Sequence, residues 1–439
     1  MIPIQFPARD GVKVSVLPAD RFKAGMLSVS SVVPITEEGA CLFPLLLSVL
    51  RRGTEKYPTL ADLNRRLDYL WGTGFSIRNY YRGNLHVIGF SADLLDPVYL
   101  PSGSEDLLGA VLALMREILY HPVLDADGLL SARYVESEKE LQCDAIRAAK
   151  NNPRAYAADR CRATLFEGQP CGYPTLGTEE QTMAVTRERL TAFWREWLAG
   201  LRLDCFYVGA TDPDEVDRRI HEVLSPKRQS DPASHGVNAL VRFPAGRGLR
   251  VEESLPVSQS QLVLGLRCGI GLTDADFYAC SVYNEMLGGS PVSRLFVYVR
   301  EKKSLCYSCG SVYHSFTGTI MVSCGIKKEN RDEAESEILR QLEALRRGEF
   351  REEELEAAKK ALENAHRQVE DSPLGLENYF FGRSLAGYRV PLAECRASLS
   401  RVSAEDVVRI ARSITVDTVY FLEGTLTGGG EDDDDGMEI

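Results

Sequence analysis

Residues 70–76, LWGTGFS, and residues 305–311, LCYSCGS, open two stretches of the chain that follow one plan. Each starts an alternating run, turns at a glycine (Arg82-Gly83-Asn84; Thr317-Gly318-Thr319) and returns in a second run, VIGFS at 87–91 and VSCGI at 322–326. Alternation on both sides of a Gly-containing turn predicts an antiparallel hairpin. Outward from the hairpins the two stretches keep the same order. Before each come an apolar strand, an acidic turn (Thr36-Glu37-Glu38; Thr273-Asp274-Ala275-Asp276) and a helix ending near a glycine.

After each hairpin come long helices. Leu355, Ala358, Leu362, Ala365 and Val369 recur at helical spacing and predict one apolar stripe. Asn151-Asn152-Pro153 and Asp371-Ser372-Pro373 close corresponding helices, and Thr186 and Ser403 are placed as N-caps of a last helix. Each stretch then ends in a short strand, Cys205–Val208 and Val419–Leu422. The pattern predicts an α+β fold, two homologous sheet-plus-helices domains from an internal duplication. The expected domains are 1–224 and 249–427, with a polar linker at 225–248 and an acidic, glycine-rich tail at 428–439.

The chain has 439 residues, 44% hydrophobic and 26% charged, with a net charge of −12. That balance fits a globular protein and argues against a nucleic-acid partner. The longest apolar run, Leu42 to Leu50, is too short to span a bilayer, so no membrane partner is expected. MIPIQFPARDGVKV lacks the basic start and apolar core of a signal peptide. Eleven irregularly spaced cysteines read as reduced, mostly buried thiols, and the expected location is cytoplasmic. Cys306-x-x-Cys309 is the one tight pair, with no second pair or nearby His to complete a metal site.

Residues 39–54, GACLFPLLLSVLRRGT, resemble the zinc helix of the insulinase/pitrilysin peptidases with its ligands replaced. That family carries H-x-x-E-H before a closing Gly-Thr. Counted back from Gly53-Thr54, the two His positions fall on Pro44 and Ser48, and the Glu position on Leu47. Zinc needs imidazole or carboxylate ligands and its water needs a base, and these three side chains supply neither. The family's third ligand, a Glu on a later helix, falls on Ala145. Pro44 is expected to kink this helix or delay its start.

The second half keeps its family motif. Gly288-Gly289-Ser290 precedes Ser293-Arg294-Leu295-Phe296, and Arg300 and Tyr307 stand seven apart in VREKKSLCYS. The resemblance implies that Arg300 and Tyr307 act on the zinc site of an opposing domain, donating to the carbonyl oxygen as it becomes an oxyanion. It implies that Gly288, Gly289 and Ser290 contact substrate, and that the chain is half of a clamshell.

The function so implied is the zinc-free subunit of a heterodimeric insulinase-type peptidase, similar to the arrangement in mitochondrial processing peptidase. Such a chain is inactive alone and needs no cofactor, zinc being expected only in the partner. The implied partners are a zinc-bearing sister subunit and an extended peptide. The alternative is a scaffold or peptide-binding protein outside catalysis, for which a homodimer or a non-peptidase partner is expected.

Overall fold

The computed structural model describes residues 2–225, 238–241 and 248–426. The expected linker is thus described only at Ser225, 238–241 and Gly248, and the expected tail lies outside the described residues. Six strands form the first sheet: β1 (Ile4–Gln5), β2 (Val12–Pro18), β3 (Ala24–Pro34), β4 (Phe75–Arg82), β5 (Leu85–Leu95) and β6 (Leu203–Gly209), in the order β1-β2-β6-β3-β5-β4. Five form the second: β7 (Leu249–Leu255), β8 (Ser260–Arg267), β9 (Cys306–His314), β10 (Thr319–Ile326) and β11 (Thr415–Gly424), in the order β7-β11-β8-β10-β9.

The second order repeats the first without β1. In each sheet the strand that opens the half pairs parallel with the strand that closes it, β2 with β6 and β7 with β11. Both hairpins, β4-β5 and β9-β10, are antiparallel as the alternation predicts. The N-caps also form: Thr186 accepts from the Arg189 N–H at 3.2 Å, and Ser403 from the Asp406 N–H at 3.2 Å. Asn152 and Ser372 do more than follow finished helices, because each caps the next one, Pro153–Leu165 and Pro373–Ser384. A proline at the first helical position suits both starts.

One of the two alternatives for Pro44 is excluded. The helix carrying Pro44 runs from Glu37 to Leu50, so its start is not delayed. The Thr36 side chain accepts from the Gly39 N–H at 2.9 Å, and this cap fixes the start well before the proline.

A sheet with helices on one side leaves its other face to be covered. On the first sheet, Leu42, Leu46, Val111 and Met115 close one face with β-strand residues such as Cys205 and Tyr207. Phe206 and Val208, by alternation, point the other way and meet Leu376, Phe380 and Phe381 of the Pro373–Ser384 helix. That helix belongs to the second half of the chain. Reciprocally, Val263, Met321, Tyr420 and Leu422 of the second sheet pack on Ala157 and Cys161 of the first half's Pro153–Leu165 helix. Each half covers the other's sheet.

Polar contacts fix both crossings. Glu377, fully buried, accepts from Arg78 Nη2 at 2.7 Å and from Ser28 Oγ at 2.8 Å on the first sheet. At the other crossing the carboxylate is on the sheet: Glu253 of β7 accepts from Tyr156 (2.6 Å) and Arg160 (3.1 Å) of the covering helix and from Tyr420 (2.6 Å) of β11. Residues 238–241 join the two hairpin turns: Ala239 O accepts from Asn84 N at 3.3 Å, and Val241 N donates to Phe316 O at 2.8 Å. Gly83, at φ +57, lies against Ala239 O where no Cβ fits. Among the described residues no helix is long and apolar enough to cross a membrane.

Two outcomes follow from these buried groups. Glu377→Leu leaves the Arg78 guanidinium buried without its carboxylate and should cost about 3–5 kcal/mol in urea unfolding, whereas the double change with Arg78→Met should recover most of it. His86 is fully buried, Nε2 lies 2.6 Å from Asn79 Oδ1, and burial pushes its pKa down to about 3. The unfolded imidazole titrates near 6.5, so its contribution is complete above that pH and is lost as pH falls toward about 3. His86→Gln should therefore flatten the fall in unfolding free energy between about pH 6 and about pH 4.

Candidate functional site

The Glu37–Leu50 helix packs against the Ala132–Ala148 helix, and the positions read as replaced ligands sit on these two elements. Pro44 and Leu47 are buried and Ser48 is half-buried. What links the helices is packing and ordinary hydrogen bonding. Gln142 Nε2 donates toward Cys41 O (3.2 Å) and Thr182 Oγ1 (3.2 Å), and Arg52 pairs with Glu138. Ala145 is exposed, and its neighbour Asp144 pairs with Arg147 at 3.1 Å. Nothing at Pro44, Leu47, Ser48 or Ala145 can hold a cation or take a proton from water.

The second-half motif is built differently. After the Phe277–Asn284 helix the chain widens into a π-helical turn, Glu285–Gly289, and Ser290 leaves it in an extended conformation. Gly288 is pressed on β9, where a Cβ would meet Ser311 N at 2.6 Å. Arg294 then anchors the segment from within. It is buried and donates to Gln341 Oε1 (2.9 Å), Glu349 O (3.0 Å) and Glu354 Oε2 (2.9 Å). A second π-helical turn, Phe296–Glu301, carries Arg300. Such widened turns cost regular helical hydrogen bonds and are frequent at functional sites.

Arg300 stays largely outside this anchoring. Its side chain is 44% exposed, stacks over the Phe296 ring at 4.7 Å and reaches Glu301 at 3.5 Å. Tyr307 is 57% exposed. Ile326 pairs with Cys306 and Gly325 with Ser308, so Tyr307 is the extra residue of a β-bulge on edge strand β9. A bulge bends the strand and re-aims the side chain it carries. Two hydrogen-bond donors thus stand exposed on one rigidly anchored segment.

Other groups here escaped sequence reading. Glu285 lines a cavity of about 340 Å³ with Gly289, Ser311 and Val312, and burial holds its carboxyl above the usual carboxylate range. Cys324, opposite Cys309 on β10, joins Cys306 and Cys309 in a cluster of three thiols. The pair read as incomplete therefore gains a third member from across the sheet. The Cys306 thiol is held well below the usual thiol range, first by Cys309 and then by Cys324 as hydrogen-bond partners, with Arg300 adding to the effect. The repeat-aligned hairpins could have suggested that Cys309 and Cys324 face each other. The bulge had no sequence signal.

Residues 184–362 match the family model described as the Peptidase M16 inactive domain. The chain is 29% identical to "Probable inactive metalloprotease YmfF" of Bacillus subtilis (strain 168), over 94% of this chain and 96% of that protein. It is 24% identical to "Uncharacterized zinc protease YmxG" of the same organism, over 69% of this chain and 72% of the relative. Among solved structures, a conserved protein from Enterococcus faecalis V583 superposes with a TM-score of 0.88 at 24% identity, covering 98% of this chain and 100% of that one. A peptidase M16 inactive domain from Pseudomonas fluorescens superposes at 0.77 with 18% identity, covering 97% and 99%.

The loop makes a sharp contrast testable. Gly288→Ala drives a methyl into the β9 backbone and should cost about 1–3 kcal/mol, read as a lower urea midpoint. Gly289→Ala meets only the mobile end of the Glu285 side chain and should cost clearly less.

Proposed function

We propose, from the premise that this chain is a relative of the insulinase-type (M16) peptidases, that it serves as the zinc-free subunit of a two-chain peptidase. A sister subunit supplies the metal, its ligands and the base that activates water. This chain supplies Arg300 and Tyr307 and one wall of the peptide chamber. One observation carries the reading: the first-half helix is filled by Pro44, Leu47 and Ser48, while Arg300 and Tyr307 stand exposed on an anchored segment of the second half. A core needs no exposed arginine on a π-helical turn beside a bulged tyrosine.

The chemistry suits that division. Zinc polarises the scissile carbonyl and the attacking water when bound in the partner. Guanidinium and phenol both donate, and donors held toward developing charge stabilise the oxyanion more than the neutral carbonyl. Arg294, tied to three acceptors, keeps the turn bearing Arg300 from shifting. Gly288 lies against β9 at Ser311, so a peptide lying along that edge strand would pass close to Gly288, Gly289 and Ser290. The same free edge, with Val312 57% exposed, also supports the second reading, a chain that captures peptide without aiding its cleavage.

The two readings separate in the assembled complex. Arg300→Ala and Tyr307→Phe should each lower kcat for peptide hydrolysis ~10²-fold, the usual loss for one oxyanion donor, with little change in KM. Unchanged kcat in both variants, with peptide still bound, would leave only the capture role. Affinity purification from the native cells should yield a partner of similar length bearing H-x-x-E-H, whereas recovery of self-paired chains alone would count against the split site.

A further inference from the structure

Cys306 and Cys309 lie three apart in one strand, which in regular β-structure puts them on opposite faces. The bulge at Tyr307 removes that conflict, since one extra residue resets the alternation and brings Cys306 round to the side of Cys309. Cys324 sits directly across from Cys309 on β10, so its side chain shares that face. The three sulfurs all lie within 4.8 Å of one another. Among the described residues this is the one group of three or more His, Cys, Asp or Glu side chains placed to share an ion.

We propose that Cys306, Cys309 and Cys324 form a three-thiolate site for a soft d¹⁰ metal ion, monovalent copper. Three sulfurs around an ion at about 2.3 Å stand about 4 Å apart, so the side chains need close by less than about 1 Å. Thiolates select soft ions. Monovalent copper is satisfied by three sulfurs in a plane, whereas zinc would require a fourth ligand that the cluster does not hold. Each thiol proton passes to solvent as its sulfur–copper bond forms, and no electron is transferred.

The surroundings favour that charge. Arg300 acts on Cys306 and Arg154 on Cys309, and both favour the net negative charge that the site carries when filled. Cys309 and Cys324 are buried, and Cys306 is the cluster's half-exposed member, which gives the ion its way in. The site rests on thiol geometry alone and is independent of the peptidase reading.

The test is anaerobic titration of the reduced full-length chain with monovalent copper in competition with a chromophoric chelator. About one equivalent should bind, with ultraviolet thiolate-to-copper absorption. Cys306→Ser should weaken binding more than a hundredfold, beyond the roughly 10–100-fold that hydrogen-bond partners around a metal site are worth. Cys143→Ser, a buried thiol of the Ala132–Ala148 helix outside the cluster, should bind as the wild type does. Absence of copper binding, or a folded Cys306→Ser with wild-type affinity, would overturn the proposal. Cys306 is only half-buried, so this variant decides the matter even if Cys324→Ser fails to fold.

Discussion

Each sheet in this protein has an apolar face that its own half leaves bare, and the rest of the structure depends on how that face is covered. The cover comes from the other half. Phe380 and Phe381 close the first sheet over Phe206 and Val208, while Ala157 and Cys161 close the second over Val263 and Leu422. Because neither sheet is fully buried without its counterpart, the two cores depend on one another for stability. The buried carboxylate of Glu377 sharpens this dependence: it pairs across the boundary with Arg78, which stacks on Phe381 at 5.2 Å, so the crossing admits one register. On the other side Glu253 meets one phenol and one guanidinium across the boundary, Tyr156 and Arg160, and a second phenol, Tyr420, within its own sheet.

Within that frame the two halves differ. In the first, the helix read as a zinc helix without its ligands is mostly interior. Leu45, Leu46, Leu47 and Leu50 are fully buried and join one hydrophobic cluster. In the second, the helix after Asn284 is distorted into two widened turns, and the distortion is held by Arg294 and by the close approach of Gly288 to β9. Departures from regular geometry cost stability and persist where neighbours enforce them. Here they leave an arginine and a tyrosine in solvent on a segment that is otherwise well anchored.

Much of the fold was legible from local pattern. The hairpins followed from alternation around Gly83 and Gly318, and Thr186 and Ser403 marked their helix starts because a hydroxyl before an apolar-periodic run satisfies free N–H groups. Pro44 does not delay its helix, since the Thr36 cap and the buried leucines outweigh the one hydrogen bond that a proline removes. Of the candidate site, the motif positions could be read but their geometry could not. Arg294, one residue of the motif at residues 293–296, is the anchor, whereas Glu285 carries no motif signal.

By itself the sequence determined the duplication, the sheet-plus-helices class, the place of both hairpins and the chemical poverty of Pro44, Leu47, Ser48 and Ala145. All of these rest on residue type and on periods of two or 3.6, which are properties of neighbours along the chain. Tertiary structure alone decided which helix covers which sheet, that Glu377 meets Arg78, and that Cys324 joins Cys306 and Cys309. Those depend on register and on one bulged residue, and a one-residue shift moves every following side chain to the opposite face. No periodicity read along the chain carries that shift, because the hydrogen bonds that set it belong to the strand alongside.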